Sequence, residues 1–111
     1  MAKDDFFIIA YKILSYLYAC MKAGEAPRLE ELNAERLGIN EGYRAKAITM
    51  LYENGLIKGV REIHTPWMEG TLYDFSSPEI TMSGIEFLQE NSTMGKAKQA
   101  LKDLKAMVPM I

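Results

Sequence analysis

Side chains that can bind nucleic acid recur at helical spacing between residues 40 and 54 of this 111-residue chain. Projection at the helical period places one set on the outer face of a predicted helix, with Arg44 at its border. This set is Tyr43, Arg44, Lys46, Ala47, Met50 and Asn54. Lysine can approach guanine or phosphate, asparagine can pair with adenine, and alanine or methionine can contact a thymine methyl group. The spacing therefore predicts a surface able to read duplex DNA.

The segment after this helix offers further candidates in a predicted hairpin. Arg61, His64 and Trp67 can reach the DNA backbone or stack beside it. The loop around Trp67 and Met68 is apolar, however, and exposed tryptophan and methionine are enriched in protein interfaces. The alternative interpretation is that Tyr43, Met50, Trp67 and Met68 form an interaction surface for a protein.

The charge of the chain gives DNA binding only weak support. Thirteen cationic and fifteen acidic residues give a net charge of −2, which excludes a binder that depends on cationic contacts alone. Between Met94 and Ile111, four lysines against one aspartate give +3, so the preceding 93 residues carry −5. Any strong basic patch must therefore include this segment.

Residues for other chemistries are scarce. The single cysteine, Cys20, excludes an internal disulfide, and with the single histidine it supplies too few ligands for a structural zinc site. No glycine-rich phosphate loop or nucleophile motif occurs in the sequence. We therefore expect no enzyme activity, no catalytic residues, no bound metal and no cofactor.

The apolar run from Phe6 to Met21 raises the question of a membrane. Lys12 interrupts this run, which is shorter than the roughly 20 residues that span a bilayer. The sequence Leu17 to Cys20 resembles a lipoprotein cleavage site, but Asp4 and Asp5 stand where a signal peptide carries positive charge. We therefore expect a core helix, no membrane partner and a cytoplasmic location.

Capping residues and glycines divide the chain into successive elements. The predicted elements are a helix from Asp4 or Asp5 to about Lys22, a helix from Leu29 to Leu37, a helix from Glu41 to about Asn54, a strand from Leu56 to Ile63, a strand from Thr71 to Phe75, a helix from about Met82 to Asn91, and a last helix after Thr93. In the third helix, Ala45, Ile48, Tyr52 and Leu51 are expected to face the core. We predict one domain over residues 1–111, with a core at 1–92 and a C-terminal amphipathic helix at 93–111.

This order of elements is that of an α+β winged helix-turn-helix fold, with three helices, a β-hairpin wing and two C-terminal helices. The local sequence agrees with it at three places. These are the turn Leu37-Gly38-Ile39, the passage from Leu51 to Ile57, and the segment from Ile80 to Leu88. The same fold serves both DNA recognition and protein interaction, so the order of elements does not decide the function.

The whole chain resembles the YjcQ-like family of small proteins encoded by bacteria, prophages and phages. The resemblance runs through the aromatic first helix, Tyr43-Arg44, Gly55-Leu56-Ile57, the segment from Ile80 to Leu88 and the lysine-rich tail. It implies a winged-helix fold and a phage or prophage context, and no defined activity. The combined prediction is a small DNA-binding protein that acts as a transcriptional regulator. The alternative is a module that binds a phage or host protein without binding DNA.

The C-terminal segment carries an apolar stripe at helical spacing beside a row of lysines. The stripe comprises Ala97, Ala100, Leu101, Leu104, Met107 and Val108, and the row comprises Lys98, Lys102 and Lys105. The first helix has more apolar surface than one contact can cover. We therefore expect the first and last helices to pack together, either within one subunit or across a two-fold homodimer.

Overall fold

The computed structural model describes residues 5–67, 69–70 and 72–92, which form an α+β arrangement of helices and two small antiparallel sheets. The elements are α1 (Phe6–Ala23), a 3₁₀ turn (Leu29–Leu32), α2 (Ala34–Leu37), α3 (Glu41–Glu53), β1 (Ile57–Lys58), β2 (Arg61–Ile63), β3 (Leu72–Asp74), β4 (Glu79–Ile80) and α4 (Met82–Glu90). The predicted last helix at 93–111 and the predicted contact residue Met68 lie outside the described residues.

Helix α1 is the centre of the core. It begins at the cap Asp5, whose carboxylate accepts a hydrogen bond from the backbone N–H of Phe7 at 3.0 Å, and it ends at Gly24. Its buried side chains contact α3, α4 and β4. By length and composition α1 is apolar enough to cross a membrane, a test that core helices of soluble proteins also pass.

The segment between α1 and α3 does not form the single helix predicted for Leu29 to Leu37. Asn33 adopts an extended backbone and divides the segment into the 3₁₀ turn and α2. Its side-chain oxygen accepts a hydrogen bond from the backbone N–H of Arg36 at 2.8 Å. A short polar side chain that satisfies a helix N-terminus competes with helix continuation, so a cap formed where an interior position was predicted.

The strand predicted from Leu56 to Ile63 is also divided in two. β1 pairs with β4, with Ile57 opposite Ile80, whereas β2 pairs with β3 in a separate hairpin. Gly59 lies between β1 and β2 with φ of 80°, and a Cβ atom there would clash with the backbone carbonyl of Ser77. The chain segments around Gly59 and Ser77 pass close together here. The bend at this point separates the β2–β3 hairpin from the β1–β4 pair at the core.

Helix α4 begins at Met82, where the sequence predicted, and Thr81 is its cap. The Thr81 hydroxyl accepts a hydrogen bond from the N–H of Gly84 at 3.1 Å and donates one to the carbonyl of Gly55 at 2.6 Å. A Cβ atom on the buried Gly84 would clash with the Leu56 carbonyl and the Ile80 side chain. The cap and the glycine together fix α4 against the turn that follows α3.

Candidate interaction surface

The outer face of α3 differs from the predicted one by a rotation of the helix. Its buried residues are Ala47, Ile48 and Leu51, and Ala47 is fully buried. The placement of Ala47 on the outer face is therefore wrong, and Ala45 and Tyr52 lie at the border of the buried arc. Hydrophobicity favours an inward position for the large Tyr52 side chain, and this turns the small Ala47 side chain outward in the projection. In the structure Ala47 faces the core and Tyr52 lies at the border of the buried arc.

Arg44 lies within the buried arc and not at the outer surface. Its Nε donates a hydrogen bond to the backbone carbonyl of Leu32 at 2.6 Å, and its Nη1 donates one to the Glu41 carboxylate at 2.9 Å. The side chain is only 15% exposed. This guanidinium connects α3 to the preceding 3₁₀ turn, which leaves it poorly placed for a partner.

Two further candidates lie at the ends of α3. Tyr43 is half-buried against the core, and its N–H donates to the cap Asn40 at 2.8 Å. Asn54 ends the helix, and its side-chain amide donates to the carbonyl of Met50 at 2.8 Å. The Asn54 amide is thus engaged in the helix terminus in this structure.

Lys46 and Met50 are the predicted candidates that the middle of α3 presents outward. Lys46 is exposed and forms no ion pair within the part of the chain that the structure describes. The Met50 side chain is 44% exposed. The outer face therefore combines one cation with an apolar surface.

Arg61, the cationic candidate of the hairpin, is already paired. Its Nη2 lies 2.7 Å from Oδ2 of Asp74, and its Nε lies 3.2 Å from the same oxygen. Hydrogen bonds from Arg61, and then from Ser76, lower the pKa of Asp74 to about 2. The pair is a neutral unit across the hairpin, in which Arg61 stands opposite Asp74.

The remaining candidates occupy the exposed end of the hairpin. His64 Nε2 lies 3.7 Å from the Glu62 carboxylate. Trp67 is 81% exposed, the largest exposure among the described large hydrophobic residues that protrude from the core. Such an exposed side chain contributes little to the stability of the fold, because stabilisation comes from the apolar area that folding removes from water.

Between α3 and β3 lies an apolar groove of about 550 Å³. Aromatic and aliphatic side chains form most of its wall, together with one lysine and one glutamate. The lining residues are Ala45, Lys46, Thr49, Met50, Glu53, Leu72, Tyr73 and Phe75. We call this region, with the exposed Ile63, the α3–hairpin surface.

Aromatic contacts hold the hairpin against α3. The rings of Tyr52 and Tyr73 meet edge to face with centroids 6.1 Å apart, and Tyr73 stacks on Phe75 at 6.1 Å. Burial, and then the carboxylates of Glu53 and Glu62, raise the pKa of Tyr73. The Tyr73 hydroxyl is therefore neutral at physiological pH and sits beside negative charge.

The sequence reasoning missed the β3 half of this surface. Leu72 and Ile63 stand opposite each other in the hairpin, and both are exposed. The available signal was the alternation of strand side chains, which puts Leu72 on the face opposite Tyr73. Both side chains nevertheless line the groove, in which Leu72 is the more exposed of the two.

The described residues contain no group of three or more histidine, cysteine or acidic side chains that could hold a metal ion. A second cavity, of about 460 Å³, lies at the end of α1 beside the half-buried Cys20 and the Lys58–Glu79 ion pair.

Comparison with known proteins relates the chain to one family. A sequence model of a family described as YjcQ protein matches residues 11–107. No curated protein and no solved structure matches the chain significantly. The match extends from the first turns of α1 through the α3–hairpin surface and into the lysine-rich segment.

Proposed function

The chain belongs to the YjcQ family, and we propose that it is a winged-helix protein that binds another protein through the α3–hairpin surface. The order of α1, α2, α3, the hairpin and α4 supports the winged-helix assignment. In that arrangement α3 and the hairpin are the elements that face a partner. The partner would be a phage or host protein, in keeping with the phage or prophage context that the resemblance implies.

The observation that carries the proposal is the exposed apolar area beside the groove. Met50 and Leu72 line the groove at 44% and 45% exposure, and Trp67, in the loop of the same hairpin, is 81% exposed. Exposed apolar patches with aromatic and methionine side chains mark sites of protein contact. Covering such side chains would yield about 1 kcal/mol or more each, from the apolar area removed from water.

The charges of the same surface favour a protein over DNA. Two arginines of α3 and the hairpin, Arg44 and Arg61, are engaged by Glu41 and Asp74. Glu53 and Glu62 add negative charge beside Tyr73. Phosphate would meet repulsion here, because affinity for DNA depends on free cations that replace counterions.

Site-specific photo-cross-linking in the cells that naturally express the protein tests this proposal. A benzophenone amino acid replaces either Met50, in the groove, or Met21, which is similarly exposed (51%) at the far end of α1. We expect one defined protein adduct from the Met50 position and none from Met21. The adduct should disappear when Leu72→Asp is added, because a buried carboxylate in the contact costs more than it gains.

Equal adducts from both positions would show indiscriminate contact and would contradict the proposal. The absence of a protein adduct at the Met50 position would also contradict the proposal. Loss of the adduct in the Leu72→Asp variant is informative only if that variant remains folded. A circular dichroism melt of the Leu72→Asp variant supplies that control.

Duplex DNA is the second candidate partner, and the exposed Lys46 on α3 beside the protruding hairpin is the observation that favours it. In a winged helix that binds DNA, the corresponding helix enters the major groove. With Tyr43, Arg44, Asn54 and Arg61 engaged in internal contacts, Lys46, His64 and Trp67 would have to supply the binding. This route would make the protein a transcriptional regulator.

Fluorescence anisotropy distinguishes the two candidates. Duplex DNA is titrated at about 50 and about 200 mM salt, because release of counterions makes DNA binding fall steeply between these concentrations. The DNA candidate predicts salt-sensitive binding that Lys46→Glu abolishes and that Lys12→Glu, on the exposed side of α1, leaves intact. The protein-binding proposal predicts no such binding.

The remaining assignments are part of the same proposal. We propose a binding protein and not an enzyme, because the α3–hairpin surface offers apolar contact area, and we propose a cytoplasmic location. Homodimerisation through the first and last helices stays a prediction, which sedimentation of the full chain would test.

A further inference from the structure

Helix α1 carries an exposed aromatic stripe on the side away from α3. Phe7 is 54% exposed, and Tyr11 and Tyr18 follow it along the helix as half-buried side chains. Phe6 meets Phe7 edge to face at 5.5 Å, and Lys22 lies 4.5 Å above the Tyr18 ring. This stripe shares no residue with the α3–hairpin surface, and Phe7 stays more than half exposed although α4 approaches it.

The chain leaves the described structure beside the start of this stripe. Phe87, in the last turn of α4, stacks on Phe7 with ring centroids 6.4 Å apart. Because β4 contacts α1 near Leu17 and the end of α4 contacts its beginning, the two helices run antiparallel. A chain that turns back after Ser92 would therefore run along α1 from Phe7 towards Tyr18.

Residues 93–111 have the length and chemistry to cover the stripe. They number 19, which corresponds to about 28 Å as a helix, against about 27 Å for the 18 residues of α1. Their apolar positions recur at helical spacing, and their lysines carry a net charge of +3. Helix α4, which would flank them, contains Glu86 and Glu90 and no lysine or arginine. The family match also continues to residue 107, so this segment is part of the family's domain.

We propose that residues 93–111 dock on the aromatic stripe of α1 in the same molecule, with Leu101 and Leu104 against the rings and the lysines towards Glu86 and Glu90. Of the two arrangements expected from the sequence, this is packing within one subunit. It does not rest on the proposed function. It leaves the α3–hairpin surface open to a partner.

Paramagnetic relaxation enhancement on the full chain tests the docking. A nitroxide is attached at Lys102→Cys in a Cys20→Ser background, and the backbone amide signals of Tyr11 and Tyr18 are compared with those of Lys46 and Asn54 on α3. We expect loss of signal at Tyr11 and Tyr18 and little change on α3. Adding Leu101→Asp and Leu104→Asp should restore the α1 signals, whereas the flank variant Lys98→Gln should not.

A mixed sample identifies which molecule supplies the segment. Isotope-labelled protein without a nitroxide is combined with unlabelled protein that carries one. Docking within one molecule predicts no signal loss in this mixture. Signal loss in the mixture would overturn the proposal in favour of a second copy, and unaffected α1 signals in the first sample would overturn docking on the stripe altogether. Thermal melts of each variant show whether the body remains folded.

Discussion

Apolar side chains are buried in the core around α1 and exposed in the β2–β3 hairpin. In α1, Ile9, Ala10 and Leu14 are fully buried. In the hairpin every residue of β2 is exposed, and Ile63 and Leu72 face solvent opposite each other. The hairpin contacts the rest of the protein through the aromatic cluster of Tyr52, Tyr73 and Phe75.

This difference in burial distinguishes residues that stabilise the fold from residues that lie exposed on its surface. Burial of apolar area is the main favourable contribution to folding, so the α1 residues account for stability. The exposed apolar residues of the hairpin contribute little, and a two-stranded hairpin has only marginal stability by itself. We propose that they serve contact with a partner, so substitutions in the two regions should have different consequences.

The largest expected contrast is between two leucine truncations. Leu14→Ala should lower the free energy of unfolding by about 2–5 kcal/mol, because it leaves a cavity in a fully buried site. Leu72→Ala should lower it by about 0.5 kcal/mol or less, as is usual for exposed sites. Urea denaturation of both variants measures the contrast, and similar losses would show that the hairpin is part of the core.

The bend between β1 and β2 should be the next most sensitive point. Gly59→Ala places a Cβ atom at positive φ and against the Ser77 carbonyl, so we expect a loss of about 2–3 kcal/mol. Gly24→Ala is the matched control, since it has similar φ and open space around it, and should cost about 1 kcal/mol. Equal melting temperatures for the two variants would mean that the close passage at Gly59 does not constrain the ribbon.

Two arginines allow the same comparison for ion pairs. Arg44→Ala removes a hydrogen bond to the Leu32 carbonyl in a half-buried site and should cost about 1–2 kcal/mol. Arg61→Ala removes an ion pair from a side chain that is 78% exposed and should cost less than about 1 kcal/mol. Chemical denaturation distinguishes them, and a larger loss for Arg61→Ala would contradict the division between core and hairpin.

The smallest effect is a pH dependence of the hairpin. The pKa of Asp74 is lowered from 3.8 to about 2 by Arg61 and Ser76. A lowered pKa in the folded state means that the stabilisation is complete above about 3.8 and is lost as pH falls towards 2. Unfolding experiments across this range should show a smaller decline for Asp74→Asn than for the natural chain. Identical declines would show that the pair contributes nothing.

Local sequence signals predicted the elements whose ends are fixed by caps. Asp5, Asn40 and Thr81 cap the N-termini of α1, α3 and α4, and these helices begin within about two residues of the predicted positions. These residues act on backbone groups within a few positions, so their effect can be read from the sequence alone.

The sequence failed where a distant contact decides the structure. The bend at Gly59 depends on Ser77, 18 positions later, whereas the break at Asn33 is a local cap that the helical spacing of Leu29 to Leu37 concealed. The hydrogen bond from Arg44 to Leu32 likewise spans 12 positions. Helical projection gave no information on these partners, so it rotated α3 and placed Arg44 at the border of the outer face.

The candidate site was predictable where local sequence patterns determine exposure, and not where distant contacts do. The exposure of Lys46, Met50 and Trp67 follows from local patterning, and the structure agrees. The groove between α3 and β3 requires the packing of Tyr73 against Tyr52, which joins residues far apart in the chain. That packing brought Leu72 to the surface and made an apolar groove out of two elements.

The most direct test of the central claim is the salt dependence of binding to the protein that cross-links at Met50. With purified full chain and purified partner, we predict that the Kd changes little between about 50 and about 200 mM salt, because burial of apolar surface is not screened. It also predicts that Leu72→Asp weakens binding at both concentrations. A Kd that rises steeply with salt and responds to Lys46→Glu but not to Leu72→Asp would contradict the account.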